Sequence, residues 1–283
     1  MKNIFEIENL SKQYPSFLLD NVSFKEQEGR IMGFIGRNGA GKSTTLKSML
    51  NLVHADNGSV KILDLDMRDN ETEIKGQIGF VLGGIDFYIN KKLKDITNVT
   101  KRFYPLWEDS IYHEYLKAFN LDENKRIKEL SAGMKVKYSL TLALSHKAKL
   151  LILDEPTSGL DPISRDELLE IFISLVKKEN ITILFSTHIT SDLEKCADDI
   201  TYIKQGKIIF TGTRKELLDE YLLIKDNDEN VSDSIREKCI SFRVNLDGVF
   251  EGLISSANKI SGVKVEKPNL EDIMIFSERT KTL

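Results

Sequence analysis

Uninterrupted apolar runs of strand length, separated by segments with helical spacing, form the main pattern of this chain. Segment 43–52 follows one such run and segment 163–178 separates two others, both with apolar residues at helical spacing. Strands that are apolar on both faces and alternate with helices are typical of a parallel sheet covered on both sides. The runs that predict strands are 31–35, 58–62, 78–82, 150–154 and 181–186. We therefore predict an α/β fold with a mixed or parallel core sheet.

Two other segments of the first 222 residues differ from this pattern. Residues 1–30 alternate apolar and polar positions, as in 4–7 and 22–24, which predicts N-terminal antiparallel β strands. From about 94 to 148 the spacing is helical, with Ile111, Tyr115 and Phe119 on one face. We predict a helical subdomain over about 87–148, inserted in a domain that covers 1–222.

The last part of the chain changes character. Residues 225–230 are polar and typical of a linker, and we expect strands at 240–246 and 263–266. A helix is predicted over 249–257 and a second, short helix from Asn269. The prediction is a small α+β accessory domain with βαβα order over 223–283.

Composition narrows the possible partners. The 283 residues carry a formal net charge of −4, without the Lys/Arg excess of a nucleic-acid-binding surface, so no nucleic acid is expected. Cys196 and Cys239 lack CxxC spacing and are expected to be free thiols of a reducing compartment. The start has no signal-peptide pattern, and the apolar runs are far shorter than the ~20 residues of a spanning helix. If the protein acts at a membrane, we expect another chain to cross it.

The segment from Gly36 to Ser43 matches the phosphate-loop pattern GxxxxGK[ST] between a predicted strand and a predicted helix. Glycines let backbone N–H groups turn toward phosphates, and the following helix directs its positive end at them. A dinucleotide site is excluded because the glycines run GxxGxxG instead of GxGxxG. The predicted ATP-binding residues are Gly36, Arg37, Asn38, Gly39, Ala40, Gly41, Lys42, Ser43 and Thr44. Lys42 is expected on the β- and γ-phosphates, and Ser43 on Mg²⁺.

Asp154 and Glu155 end a predicted apolar strand. Ligands in open α/β sheets bind at the carboxyl ends of strands. Asp154 is therefore a candidate for holding Mg²⁺ through water, and Glu155 for polarising the attacking water. The alternative is that Asp154 and Glu155 are solvated acids of a loop. The phosphate loop weakens this alternative, because a phosphate loop requires an acidic partner of this kind.

Several further segments resemble the ATP-binding-cassette (ABC) ATPases. Leu130-Ser131-Ala132-Gly133-Met134 is similar to the family's signature LSGGQ, and Ser158-Gly159-Leu160-Asp161 to its D-loop. Ser186-Thr187-His188 resembles the switch histidine, and Tyr14 stands where an adenine-stacking aromatic is expected. The tail, with Asn269-Leu270-Glu271-Asp272, resembles that of ABC-2-type exporter ATPases.

The resemblance implies an ATPase subunit at the cytoplasmic face of the cell membrane, energising a separately encoded permease, with ATP and Mg²⁺ as cofactors. Glu155 is implied as catalytic base and His188 as a γ-phosphate contact. Ser131, Gly133 and Asp161 are implied to complete the site of a second subunit, in a homodimer or a heterodimer with another ABC ATPase. The implied cargo is a peptide, antibiotic or lipid-like compound, and the implied direction, by resemblance alone, is export.

The sequence also departs from the family pattern. Gly83 stands where a glutamine normally contacts Mg²⁺ and the attacking water, and Asp86 is a candidate substitute. Ala132 and Met134 replace a glycine and the glutamine of the signature. Slow or differently coupled hydrolysis is therefore expected. Two alternatives stay open: an ABC ATPase not coupled to transport, and a slow-hydrolysing nucleotide sensor.

Overall fold

A computed structural model describes residues 2–82, 88–258 and 260–279, which group into two compact units, Met1–Thr211 and Gly212–Leu283. The strands are β1 (Asn3–Tyr14), β2 (Phe17–Gln27), β3 (Ile31–Ile35), β4 (Asn57–Ile62), β5 (Leu65–Asp66), β6 (Ile78–Leu82), β7 (Leu150–Asp154), β8 (Thr182–Thr187), β9 (Asp199–Lys204), β10 (Lys207–Thr213), β11 (Tyr221–Asn227), β12 (Ser241–Val244), β13 (Val249–Ser255) and β14 (Val265–Glu266).

The helices follow the same order along the chain. They are α1 (Lys42–Met49), α2 (Glu71–Lys75), α3 (Leu93–Thr100), α4 (Asp109–Ala118), α5 (Ala132–Ser145), α6 (Pro162–Glu179), α7 (Thr190–Cys196), α8 (Arg214–Asp219), α9 (Asp233–Lys238) and α10 (Leu270–Glu278). Short 3₁₀ helices lie at Lys101–Phe103, Ile127–Glu129 and Asp228–Asn230.

The first unit contains two sheets. The N-terminal sheet has the order β2-β1-β4-β5, and its strands pair antiparallel, as predicted. The core sheet has the order β10-β9-β3-β8-β7-β6, and β9, β3, β8, β7 and β6 run parallel. Apolar side chains of both sheets and of α1 form one buried cluster, which includes Phe5, Phe34 and Leu46. This packing fixes the helix that follows the phosphate loop on the core sheet.

Strand register brings three loops to one edge of the core sheet. Ile35 pairs with Thr187, and Asp154 pairs with both Ser186 and Leu82. Because β3, β8 and β7 are parallel neighbours, the loops that follow them emerge side by side. Residues 83–87, with Gly83 and Asp86, lie outside the described residues.

The segment between β6 and β7 is helical, as predicted. Helices α3, α4 and α5 share a small buried cluster around Tyr138, whose hydroxyl hydrogen-bonds to the Leu93 carbonyl and to the Thr97 hydroxyl, both at 2.9 Å. Burial raises the pKa of the Tyr138 phenol. A buried polar pair of this kind is stable because both hydroxyls are hydrogen-bonded.

In the second unit, two predictions are wrong. Residues 249–257 were predicted as a helix, but β13 lies there and pairs with β11 and β12. Residues 225–230 were predicted as a linker, but they complete β11 and form a 3₁₀ turn. The sheet order β12-β13-β11-β14 makes β13 an inner strand, and inner strands can be apolar on both faces. Glu251 is buried there because Arg243 pairs with it.

The remaining elements of this unit agree with expectation. Strands β12 and β14 and helix α10 lie where strands and a short helix are predicted. The observed order is therefore α8, β11, α9, β12, β13, β14, α10, an α+β arrangement without the predicted βαβα order. The units divide between Thr211 and Gly212, whereas the sequence-based boundary follows residue 222.

Candidate functional site: the carboxyl edge of the core sheet

The phosphate loop runs from the end of β3 to the start of α1. Gly41 precedes α1 with a φ of 115°, and Gly39 has a φ of 81°, values that favour glycine. A Cβ atom on Gly36 would lie 2.4 Å from the Ile203 carbonyl oxygen, so no larger residue fits there without a shift. The loop therefore has the compact backbone that the pattern predicts. Ser43 and Thr44 are half-buried in the first turn of α1.

Lys42 is directed into this loop. Its side chain is 5% exposed, and Nζ donates to the Gly36 carbonyl at 2.7 Å and to the Arg37 carbonyl at 3.3 Å. Nζ also lies 3.1 Å from Oε1 of Glu155. A buried ammonium requires such partners, because an uncompensated buried charge is costly. The phosphate-loop lysine and the predicted catalytic carboxylate thus lie in one cluster.

Asp154 and Glu155 follow β7 as expected, and Ser186 of β8 connects them. The Ser186 hydroxyl donates to Asp154 Oδ1 at 2.6 Å and accepts from the Glu155 backbone N–H at 3.0 Å. Glu155 has a φ of 50°, which is uncommon for a residue with a side chain. Such a conformation persists only where surrounding contacts hold it, and it is frequent at functional sites. Ser186 belongs to the Ser186-Thr187-His188 segment, but its bonds to Asp154 and Glu155 have no signal in the sequence.

His188 lies in the loop after β8, next to Glu155. Its Nδ1 atom is 2.8 Å from Glu155 Oε2, and its side chain is 40% exposed. One carboxylate is therefore shared by a buried lysine and an exposed imidazole. An exposed imidazole at this place is accessible to a ligand bound over the phosphate loop.

Tyr14 is half-buried at the end of β1 and pairs with Phe17 at the start of β2. A Cβ atom on Gly41 would lie 2.9 Å from the Phe17 ring, so Phe17 borders the phosphate loop directly. Sequence reasoning missed Phe17. The signal in the sequence that could have identified Phe17 is the β1–β2 hairpin, which has an aromatic residue on each side of its turn, Tyr14 and Phe17.

The signature residues lie at the start of α5. Ser131 is its N-cap and accepts from the Met134 N–H at 3.2 Å. Gly133 is buried against Ser164, so closely that a Cβ atom on Gly133 would lie 3.3 Å from the Ser164 Cβ. Asp161 caps α6 and accepts from the N–H groups of Ile163 and Ser164, both at 3.0 Å. Hydrogen bonds from Ser164 lower the pKa of this exposed carboxyl.

Two side chains of this edge are candidate ligands for Mg²⁺. Ser43 and Asp154 offer a hydroxyl and a carboxylate, the hard oxygen ligands that Mg²⁺ prefers. Within residues 2–82, 88–258 and 260–279 no group of three His, Cys, Asp or Glu side chains could hold a metal by itself. This arrangement fits Mg²⁺, which usually takes one or two protein ligands together with waters and substrate phosphates.

The ABC transporter family model matches residues 19–158. The bacitracin transport ATP-binding protein BcrA of Bacillus licheniformis is 32% identical over 259 residues, which cover 88% of this chain and 84% of the relative. The lantibiotic transport ATP-binding protein SrtF of Streptococcus pyogenes is 37% identical over 208 residues, 73% of this chain and 89% of the relative. A solved ATP-binding subunit of an ABC transporter superposes with a TM-score of 0.68 and 28% identity, covering 76% of this chain and 91% of that one.

The fold and the similarity to these relatives indicate the same family. The chain belongs to the ABC transporter family, as one of its ATP-binding, ATP-hydrolysing subunits. Among the helices in the described ranges, none is long and apolar enough to cross a membrane.

Proposed function

We propose that this subunit hydrolyses ATP at the carboxyl edge of the core sheet with Glu155 as general base. The observation that carries the proposal is the shared carboxylate, with Lys42 at 3.1 Å and His188 at 2.8 Å. Glu155 accepts a proton from the attacking water in this scheme, and Lys42 binds the β- and γ-phosphates. His188 contacts the γ-phosphate and orients it. Tyr14 stacks on adenine.

The backbone N–H groups of the phosphate loop, from Gly36 to Thr44, hold the phosphates in this scheme. Ser43 and Asp154 would hold Mg²⁺, Asp154 through water. When bound, Mg²⁺ neutralises phosphate charge as it develops. Ser186 keeps Asp154 in place by its hydrogen bond.

A second subunit completes the site in this proposal. Ser131 and Asp161 are exposed and their described hydrogen bonds are local helix caps, which leaves their outward faces available to a partner. Ser131, Gly133 and Asp161 act on the nucleotide of the opposite subunit. The active form is then a head-to-tail homodimer, or a heterodimer with another ABC ATPase.

The partner in the membrane is proposed from surface chemistry and from the relatives. Large exposed apolar side chains are frequent in the helical segment, where Phe103 is 75% exposed and Val99, one helical turn before it, is 56% exposed. Relatives named for bacitracin and lantibiotic transport support a permease that exports peptide, antibiotic or lipid-like compounds. The subunit would then be attached to the cytoplasmic face of the membrane by this permease.

Co-purification tests the coupling to transport. The tagged full chain is expected to retain an integral-membrane protein in mild detergent, and a Val99→Glu, Phe103→Glu variant is expected to lose it. Leu246→Glu, which alters a fully exposed leucine of the second unit, is the matched control. ATP affinity should stay within about 2-fold in both variants, because neither variant changes a residue of the phosphate loop. If the wild-type chain retains no membrane protein, an uncoupled ABC ATPase becomes the better description.

A further inference from the structure

A buried carboxylate connects the two loops that carry Glu155 and His188. Asp192 lies in the first turn of α7, four residues after His188, and is 1% exposed. Its Oδ2 accepts from the Thr157 hydroxyl at 2.7 Å, and its Oδ1 accepts from Arg165 of α6. Arg165 also donates to the Ser191 hydroxyl at 2.7 Å. One side chain thereby joins the loop after β7, helix α6 and helix α7.

The position of Thr157 makes this junction relevant to catalysis. Thr157 is 1% exposed and follows Glu155 by two residues, so its hydroxyl fixes the loop immediately after the catalytic carboxylate. Glu155 itself has a φ of 50°, a conformation that the surrounding contacts must hold. Ser186 holds this residue from the strand side, and the Thr157–Asp192 hydrogen bond holds the loop from the other side.

His188 has little support of its own. Its imidazole is 40% exposed, and the described hydrogen bond of the ring goes to Glu155. The placement of the ring therefore depends on the backbone between β8 and α7. Since Asp192 anchors the start of α7 to Thr157, this carboxylate adds a second connection between the two loops, beyond the pairing of β7 with β8 at Ser186.

We propose that Asp192 is a positioning residue for hydrolysis: through Thr157 and Arg165 it holds the Glu155 loop against the His188 loop. The proposal rests on the role that the proposed function gives to Glu155 and His188. A hydrogen bond between two residues that do not touch the nucleotide affects the chemical step through geometry, and a misplacement of about 1 Å can cost on the order of 100-fold in rate.

Thr157→Val tests the proposal in the purified full chain. Valine has the shape of threonine without the hydroxyl, and it leaves the Asp192–Arg165 ion pair in place. We expect kcat to fall at least about 10-fold while the KM and the Kd for ATP stay within about 2-fold, because the phosphate loop is unchanged. Thr157→Ser restores the hydroxyl and is expected to recover most of kcat.

Thr97→Val is the matched control. Thr97 is a buried threonine of α3 whose hydroxyl bonds to Tyr112 and Tyr138, away from the core-sheet edge. It should lower the Tm by an amount comparable with Thr157→Val and leave kcat within about 2-fold. If Thr157→Val changes kcat no more than this control does, the hydrogen bond is only structural and the proposal is wrong.

Two further variants separate this proposal from the proposed function. Asp192→Asn keeps the shape and removes the charge, and it should lower kcat further than Thr157→Val because Arg165 also loses its charged partner. Glu155→Gln measures the base directly. If Glu155→Gln keeps wild-type hydrolysis, the proposed function fails; if it abolishes hydrolysis while Thr157→Val has no effect on kcat, only the positioning role fails.

Discussion

Two regions of the first unit carry the residues expected to act on ATP, and they differ in how their side chains are held. At the carboxyl edge of the core sheet, Lys42 and His188 both contact the Glu155 carboxylate. At the start of α5 and α6, Ser131 and Asp161 bond only to the first turns of their own helices among the contacts described above. The first region is a connected site, and the second is a pair of capped helix ends.

This difference indicates what each region can do alone. A connected cluster of lysine, carboxylate and imidazole contains the groups needed for phosphate binding and proton transfer. Capped helix ends with exposed polar groups contribute only when a phosphate or another chain reaches them. We therefore expect substitutions in the first region to affect chemistry within a subunit, and substitutions in the second to affect activity only through the partner.

Glu155→Gln gives the largest expected effect. Removing the base should lower kcat by about 1,000-fold or more, while ATP still binds because the loop and Lys42 remain. Single-turnover hydrolysis and equilibrium binding of ATP measure the two quantities separately. A nucleotide-bound dimer should accumulate and be visible by size-exclusion chromatography. Hydrolysis at the wild-type rate would remove Glu155 from the role of base.

Gly133→Asp tests the second region, and we expect a loss of about 100-fold in kcat. The new carboxylate would repel phosphate at the partner's site, whereas the phosphate loop of the same chain is unaltered, so ATP binding to the monomer should persist. Mixing this variant with Glu155→Gln is the sharper measurement. In a mixed dimer one of the two sites combines an intact Glu155 with an intact signature, so activity should exceed that of either variant alone. A mixture as inactive as its components, with mixed dimers demonstrated, would contradict sites shared in this way.

The two regions were also unequally predictable from sequence. The phosphate loop and Asp154–Glu155 follow apolar runs that end in characteristic residues, and strand register brings them together as the pattern predicts. The contacts of Thr157 and Arg165 with Asp192 could not be predicted, since they join residues 35 and 27 positions apart and have no periodic signal. Such pairings are a property of the packed chain.

Strand β13 shows why the helix prediction for 249–257 was wrong. Its apolar residues come in adjacent pairs, which fit one face of a helix as well as an inner strand buried on both faces. Glu251 interrupts the run and suggests a solvent-facing position. In the folded chain Arg243 neutralises it, so the position is buried. The local sequence pattern was ambiguous between helix and strand here, and the pairing of β13 with β11 and β12 determined that the segment is a strand.

His146 is expected to make the stability of the chain depend on pH, an effect smaller than the two losses of activity above. It lies at the end of α5, the helix that carries the signature, and its ring stacks on Tyr104 with centroids 3.8 Å apart. Burial lowers its pKa to about 4 from an ordinary value near 6.5. The unfolded chain therefore binds a proton that the folded chain does not bind between these values, and stability is lost as pH falls from about 6.5 toward 4.

The expected loss is about 2 kcal/mol in unfolding free energy between pH 7.5 and pH 5. Denaturant unfolding at both values measures it, and His146→Phe, which keeps a stacking ring without a titrating group, should remove most of this acid-dependent part. If the variant keeps the same difference between the two pH values, His146 is not the group responsible.

Gly83→Gln has the smallest expected effect. Residue 83 directly follows β6 in the sequence, and the last residue of β6, Leu82, pairs with Asp154. An added amide can orient water or reach Mg²⁺, and we expect kcat to change by only a few-fold because Glu155 and His188 are already in place. Gly83→Ala is the control for backbone stiffening. Basal and permease-stimulated ATPase rates that are both unchanged in Gly83→Gln would show that the glycine does not tune turnover. A several-fold rise in Gly83→Gln alone would indicate that this edge of the sheet, although connected, lacks one water-orienting group.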